Sequence, residues 1–352
     1  MGAPISDRWR GWLSVRNRHA LRQLGRIVAD EKPDVAHAHN LHEVFSFAAL
    51  EVLAQAGVPT VLTLHDCMTF HQGKFVEIAR RQHCQTEDAQ LRLTGLDLLR
   101  RYRLRYAPGR RRRIRRIIER SGARVVSVSR LLHRAFLVNR VPCHTVIHNG
   151  VRVADFRAEQ QAIEQMRARL GVADRRVVAT FGRLNRPKGR AQMLAAVQLV
   201  RREMPEAILL AVGTPPGGSA DESAAGVVGT PLLSGSELAA AYGVAYVVAA
   251  PSVYLDMFPT VVLEAMAAGR PVVVSCFAGT SEIIEDGRTG RVVNPLDVDA
   301  LAEALLSLLR DKAGATQMGK AAQKLVEERF TIEQCAARYL EILDELARPR
   351  SA

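Results

Sequence analysis

Residues 251–295 read PSVYLDMFPTVVLEAMAAGRPVVVSCFAGTSEIIEDGRTGRVVNP, and they are more informative than the rest of the chain. It predicts a short helix between two apolar runs, because Pro259 is suited to open a helix and Gly269 to end one. Asp256 lies in the loop before this helix, and Glu264 lies within it. N–H groups at a helix start lack partners within the helix, so they can hold an anion or a sugar hydroxyl. The layout therefore predicts a ligand site.

Apolar runs and helical stretches alternate along the whole chain. In the first half, DVAHAH from Asp34 and TVLTLHD from Thr60 flank a helical stretch at 46–56, which predicts a parallel β-α-β unit. The pattern begins again at Arg175 with RVVATFGRL. We therefore predict an α/β protein with two Rossmann-like, doubly wound domains that face each other across a cleft.

The length of 352 residues is enough for two domains. We predict a first domain at 1–158, a second domain at 159–330 and a final helical segment at 331–352.

A second motif, FGRLNRPKGR from Phe181, places Arg183 and Lys188 in the turn between a predicted strand and the next helix. Open α/β folds hold phosphate at this turn. Two cations five positions apart can clamp a diphosphate and neutralise it as a leaving group without a metal. The alternative interpretation is a surface turn with ordinary basic side chains.

His65 ends the predicted strand TVLTLHD, at the carboxyl edge of the first sheet, where ligand-contacting residues of open α/β sheets collect. A lone histidine is more often structural. His37 and His39 end the adjacent strand and are candidates for the acceptor side. The histidines and cysteines at 65–84 match no zinc-ligand spacing, so we expect no metal.

Both motifs resemble the sugar-donor site of glycosyltransferase family 4 (group 1), whose members are retaining glycosyltransferases of the GT-B fold. The phrase LEAMAAGRPVV is close to the family's usual wording, as are two acids with seven residues between them. This chain departs from the family in two places. Asp256 stands where the family normally has Glu, and Ala278 replaces the first of two glycines, while Gly279 keeps the second.

The resemblance also implies roles for individual residues. Glu264 would hold the nucleotide ribose, Asp256 would hold the sugar, and His65 would help to orient that sugar. The implied catalytic residues are His65, Asp256, Arg183 and Lys188. The implied donor-binding residues are Arg183, Lys188, Asp256, Met257, Phe258, Glu264 and Gly279, with Met257 and Phe258 acting through their backbone N–H groups.

The implied activity is transfer of a sugar from a nucleotide-sugar donor to an acceptor hydroxyl with retention, in glycan, glycolipid or surface polysaccharide synthesis. The second domain would bind the sugar donor, the first a glycan or lipid-linked acceptor, and the segment at 331–352 would pack back towards the first domain. Two alternatives stay open: a non-catalytic or impaired nucleotide-sugar-binding protein, and a nucleotide-sugar epimerase of the same fold.

The resemblance also indicates a shortened first domain. Members of the family usually carry a strand and a Gly-rich loop before the equivalent of DVAHAH. Here 33 residues precede Asp34, and they contain no pair of adjacent glycines.

Positive charge is concentrated in the first half. Residues 1–150 hold 26 Lys and Arg against 12 Asp and Glu, whereas the remainder holds 23 against 24. The excess peaks between Arg100 and Arg120, in RRYRLRYAPGRRRRIRRIIER. This run predicts an anionic membrane surface as partner rather than nucleic acid, because it has few aromatic residues and matches no nucleic-acid module. An ordinary solvated helix is the alternative.

The cysteines and the start of the chain predict the location. Five scattered cysteines favour a reducing compartment, and the first residues lack the apolar core of a signal peptide. We therefore predict a cytoplasmic protein, with a peripheral position at the inner face of the membrane as the variant that the basic run suggests.

Overall fold

The computed structural model describes residues 10–42, 44–73, 84, 88–215, 217, 222 and 225–348, and the chain divides into two compact units. Unit 1 comprises 1–76, 86–148 and 336–352, and unit 2 comprises 77–85 and 149–335.

Unit 1 is built on a parallel sheet of four strands in the order β1-β2-β3-β4. The strands are β1 (Ala36–His39), β2 (Thr60–Leu64), β3 (Arg124–Ser127) and β4 (Thr145–Val146). The helices are α1 (Arg10–Leu13), α2 (Arg18–Glu31), α3 (Ala49–Gln55), α4 (Asp88–Leu91), α5 (Gly95–Tyr102), α6 (Arg110–Ser121) and α7 (Arg130–Val138). Every residue of β2 is buried, as an inner strand of a parallel sheet requires.

Unit 2 is built on a parallel sheet of six strands in the order β10-β9-β8-β5-β6-β7. The strands are β5 (Arg176–Phe181), β6 (Ala207–Val212), β7 (Val227–Thr230), β8 (Val247–Ala250), β9 (Val272–Ser275) and β10 (Arg291–Val293). The helices are α8 (Gln160–Arg169), α9 (Arg190–Glu203), α10 (Gly235–Val244), α11 (Thr260–Ala267), α12 (Val298–Arg310), α13 (Lys312–Arg329) and α14 (Ile332–Ala347). From Ala336 onward, α14 belongs to unit 1, where the Tyr339 hydroxyl lies 3.0 Å from Thr63 Oγ1.

The basic run between Arg100 and Arg120 is not one solvated helix. It comprises the end of α5, a 3-10 turn at Arg103–Arg105 and most of α6. Arg110 is only 2% exposed, so part of the run belongs to the interior of unit 1.

A disulfide joins Cys84 to Cys276 within unit 2, and Cys67, Cys143 and Cys335 are free. The scattered spacing did not predict this pairing. Because two of the five cysteines are paired, the cysteines no longer favour a reducing compartment.

Bilayer crossing requires a helix that is both long and apolar. None of the helices within the described ranges meets that requirement.

Candidate functional site

The strand order of unit 2 marks where a ligand is expected. From β5 the sheet runs outward to β6 and β7 on one side and to β8, β9 and β10 on the other. Ligands of open α/β sheets bind beyond the carboxyl ends of the strands at such a reversal. Arg183 and Lys188 follow β5, and Asp256 follows β8, so three predicted site residues lie at the reversal.

The loops that follow β5 and β8 lie directly against each other. Gly189 has a φ of 79°, and a Cβ at this position would overlap the carbonyl oxygen of Pro251. The N–H of Val253 also donates to the carbonyl of Pro187 at 3.0 Å. Glycine at 189 therefore allows the backbone approach that sets Lys188 beside the second loop.

Asp256 forms the centre of the site. Its carboxylate is buried, and Lys188 Nζ lies 2.7 Å from Oδ2. The Ser252 hydroxyl donates to the same oxygen at 2.7 Å. The structure thus brings together Asp256, for which the family resemblance implied a sugar contact, and Lys188, which was predicted to contact phosphate.

A small recess lies around this ion pair. Its lining includes Arg183, Lys188, Ser252, Asp256 and the end of β5. Its volume is about 30 Å³, which is small beside the volumes of ligand pockets in proteins. Arg183 is exposed at its edge.

Glu264 does not line the recess, and a tyrosine of the neighbouring helix α10 holds its side chain. Gly269, which has a φ of 70°, follows the end of α11, as predicted. The hydroxyl of Tyr242 donates to Glu264 Oε2 at 2.7 Å. The Tyr242 ring stacks on Phe181, with ring centroids 3.6 Å apart, and Phe181 lines the recess. Burial, followed by the charge of Glu264, raises the pKa of Tyr242, so the phenol keeps its proton.

Three further residues were predicted to bind the sugar donor, and all three are buried. Met257 and Phe258 follow Asp256 in the chain, and Gly279 follows Ala278, which forms a backbone bridge with Asp256. The N–H of Gly279 donates to the carbonyl of Asp256 at 2.7 Å, and the N–H of Asp256 donates to Phe277 at 3.3 Å. These bonds tie the loop that carries Asp256 to the loop that follows β9.

In unit 1, three histidines gather at the carboxyl ends of β1 and β2. His65 Nε2 lies 2.8 Å from His39 Nδ1, and the N–H of His65 donates to the Asn40 side chain at 2.9 Å. His37 Nε2 lies 2.9 Å from Thr63 Oγ1. The structure thus holds His65 in a polar cluster at the sheet edge where the sequence placed it.

The three rings are uncharged near neutral pH. Burial, followed by the charges of His39 and His37, lowers the pKa of His65 to about 4. Burial, with a contribution from His39, lowers the pKa of His37 to about 4, and burial also lowers the pKa of His39. One ring of the His39–His65 pair therefore donates its N–H to the lone pair of the other. A neutral His65 is suited to orienting a hydroxyl group.

Sequence reasoning missed Ser252, Tyr242 and Thr214. The Thr214 hydroxyl donates to the Gly182 carbonyl at 3.1 Å and accepts the N–H of Leu184 at 2.7 Å, which fixes the turn that carries Arg183. Thr214 lies just after β6, so the rule that ligand-site residues follow strand ends could have found it. The contact between Tyr242 and Glu264 has no comparable signal in the sequence.

Two family profiles match the chain. The profile described as "Glycosyl transferases group 1" matches residues 175–311, and the profile described as "Glycosyltransferase Family 4" matches residues 3–155. Together they cover most of both units.

Similar curated proteins carry the names of sugar transferases. A GDP-mannose-dependent alpha-(1-6)-phosphatidylinositol monomannoside mannosyltransferase of Mycolicibacterium smegmatis is 33% identical over 58% of this chain and 56% of its own length. A D-inositol 3-phosphate glycosyltransferase of Mycobacterium marinum is 34% identical over 48% of this chain and 38% of its own. The chain thus spans about half the length of the first of these relatives.

Among solved structures, Anabaena HepE in complex with UDP and glucose is similar to this chain with a TM-score of 0.67. The likeness covers 92% of this chain and 80% of the other at 21% identity, so it speaks to the fold alone. It confirms the prediction of two Rossmann-like domains.

Proposed function

We propose a glycosyltransferase activity for this chain, which belongs to the group 1 glycosyltransferases of family 4. In this proposal the protein takes a sugar from a nucleotide-sugar donor and transfers it to an acceptor hydroxyl in glycan or glycolipid synthesis. The observation that carries the proposal is the buried Asp256 paired with Lys188 at the strand-order reversal of unit 2.

The sugar donor is assigned to unit 2. Arg183 and Lys188 are the cations that would hold the diphosphate and stabilise its charge as it leaves, which is the main electrostatic demand of the reaction. Asp256 would accept hydrogen bonds from sugar hydroxyls, since a carboxylate can accept two at once. Glu264, already oriented by Tyr242, would accept from the ribose hydroxyls.

Lys188 would change partners when the sugar donor binds. In the structure its ammonium group bonds to Asp256. A diphosphate brings more negative charge than one carboxylate, so it can draw the ammonium group towards itself. That exchange would leave Asp256 to accept from the sugar, with the Ser252 hydroxyl still holding one of its oxygens.

The acceptor, the retaining stereochemistry and the role of His65 are also proposals. Retention requires no strong base, because the departing phosphate can take the proton of the acceptor hydroxyl. The low pKa of His65 fits this scheme, since a neutral ring orients a hydroxyl without removing its proton at neutral pH. Relatives with lipid and inositol phosphate acceptors in their names make a phosphorylated polyol or glycolipid the acceptor class to test first.

Incubation with UDP-glucose and GDP-mannose, with and without a phosphoinositide acceptor, tests the activity. A new glycoside whose anomeric configuration matches that of the sugar donor supports the proposal. An epimerised nucleotide sugar would indicate an epimerase, and binding without turnover would indicate a non-catalytic protein.

The phosphate role is tested by Arg183→Ala combined with Lys188→Ala, with Arg186→Ala as the matched control. Arg186 is an exposed arginine of the same loop that does not line the recess. The double variant should lose turnover more than ground-state binding of the sugar donor, because the cations act mainly on charge that develops during bond breaking. Equal losses in turnover and binding would argue against leaving-group stabilisation.

The anionic membrane surface and the cytoplasmic location stay predictions. Flotation with neutral and with anionic vesicles tests the surface, and binding that ignores lipid charge would count against it.

A further inference from the structure

Unit 1 contains a cavity of about 500 Å³, and every charged residue that lines it is an arginine. The six arginines are Arg92, Arg110, Arg111, Arg112, Arg115 and Arg140. Within the described part of the chain, no carboxylate lines this cavity. Its volume lies in the range that small ligands occupy in proteins.

Two of these arginines hold the wall of the cavity together through neutral partners. Arg110 is buried and donates to the Ser14 hydroxyl and to the carbonyls of Met68 and His71. Arg111 donates to the carbonyl of Leu93. Burial lowers the pKa of Arg110 to about 10, so its guanidinium stays charged near neutral pH. These hydrogen bonds run to neutral acceptors, and the charge of nearby Asp66 partly opposes the effect of burial on the pKa of Arg110.

The start of α6 adds positive potential to the same cavity. Its N-cap is Gly109, which offers no side chain to the free N–H groups, and its first turn contains arginines and no acid. The positive end of a helix dipole favours acids there and disfavours cations. This twelve-residue helix begins with four arginines, which the dipole disfavours at that end. An anion in the cavity would offset the electrostatic repulsion between these arginines and the helix start.

Three further arginines leave their charge available. Arg92, Arg112 and Arg140 are exposed, and among the described residues none of them has a carboxylate partner. Arg115 differs, since its Nε lies 3.4 Å from Glu119. Arg140 also has a φ of 58°, a left-handed conformation that non-glycine residues adopt mainly where the surroundings impose it.

We propose that this cavity binds a phosphate group, as a phosphomonoester or phosphodiester of a small molecule or of a lipid headgroup. Guanidinium groups match phosphate oxygens in pairs, and several of them around one cavity can bond all the free oxygens of one phosphate. A single carboxylate would leave most of these donors unused. The site shares no residue with the sugar-donor site of unit 2.

Calorimetric titration of the full chain tests the proposal with two probes, glycerol 3-phosphate and phosphatidylcholine vesicles with or without phosphatidylglycerol. The test variant is Arg112→Gln with Arg140→Gln, two exposed positions whose change should not disturb the fold. The matched control is Arg22→Gln with Arg26→Gln, which removes the same charge from exposed positions on α2.

We expect the test variant to bind at least one probe about tenfold or more weakly than the unchanged protein, because two charge-assisted contacts are lost. The control variant should stay within about twofold. Loss for glycerol 3-phosphate supports a soluble phosphate ligand, and loss for anionic vesicles alone supports a lipid headgroup. Absence of binding to both probes, or equal losses in the two variants, would overturn the proposal. Neither result depends on transferase activity, so the proposed function stands or fails separately.

Discussion

Replacing Asp256 with Asn should separate nucleotide binding from sugar transfer. The buried carboxylate of Asp256 holds Lys188 at 2.7 Å, and in the proposed function a diphosphate competes for the same ammonium group. Asparagine keeps the size of the side chain and can still accept from the Ser252 hydroxyl. The change therefore removes the charge with little change in packing.

The magnitude follows from the exposure of the two partners. The Lys188 side chain is 35% exposed and that of Asp256 is 9% exposed, so the pair lies between the surface and buried classes and contributes about 1 to 2 kcal/mol. Since 1.4 kcal/mol corresponds to a factor of ten, Asp256→Asn should bind UDP or GDP about tenfold more tightly. Turnover should fall by about ten- to a hundredfold, because a charged contact to the sugar is lost.

Calorimetry with nucleoside diphosphates measures the first effect, and initial rates of glycoside formation measure the second. Lys188→Met is the companion variant, and it should weaken the binding of the nucleoside diphosphate. If Asp256→Asn weakens that binding as much as Lys188→Met does, Lys188 does not exchange between carboxylate and phosphate. The order of events proposed above would then be wrong.

Three further predictions concern other contacts. Tyr242→Phe removes the hydroxyl that orients Glu264 and should weaken nucleotide binding by about three- to tenfold in calorimetry; an unchanged affinity would remove Glu264 from the ribose site. The pKa of His65 is about 4 in the folded protein, so the folded protein binds fewer protons than the unfolded chain between about pH 4 and 6.5. Up to about 3 kcal/mol of unfolding free energy is therefore present above pH 6.5 and is lost as the pH falls towards 4. Urea unfolding should show this loss, and His65→Gln should reduce it. Reduction of the Cys84–Cys276 disulfide should lower the unfolding free energy by about 2 to 5 kcal/mol, and identical midpoints with and without reductant would contradict this.

Much of the fold could be predicted from local pattern. The runs DVAHAH, TVLTLHD and RVVATFGRL contain strands β1, β2 and β5, and the helix between Pro259 and Gly269 formed as Thr260–Ala267. These elements depend on periodicity and on turn residues, which neighbouring positions in the chain supply. The structure of the basic run was harder to predict, because charged side chains favour solvent. Arg110 is nevertheless buried, and its guanidinium bonds to residues far away in the chain.

The sequence predicted which residues belong to the candidate site, but it did not predict the contacts between them. Arg183, Lys188 and Asp256 could be named as candidates because a nucleotide-sugar site is expected to place cations and acids near strand ends. Nothing in the spacing indicated that Lys188 and Asp256 bond to each other, because 68 positions separate them along the chain. Tyr242 was missed for the same reason.

Local sequence specifies the two α/β halves, the turn that carries Arg183 and Lys188, and the helix that carries Glu264, because each depends on residues close together in the chain. Three features depend on tertiary structure: the contact between Lys188 and Asp256, the disulfide of Cys84 and the arginine cavity of unit 1. Each of these arises where distant segments meet, and the distances that then set charge, burial and hydrogen bonding are properties of packing.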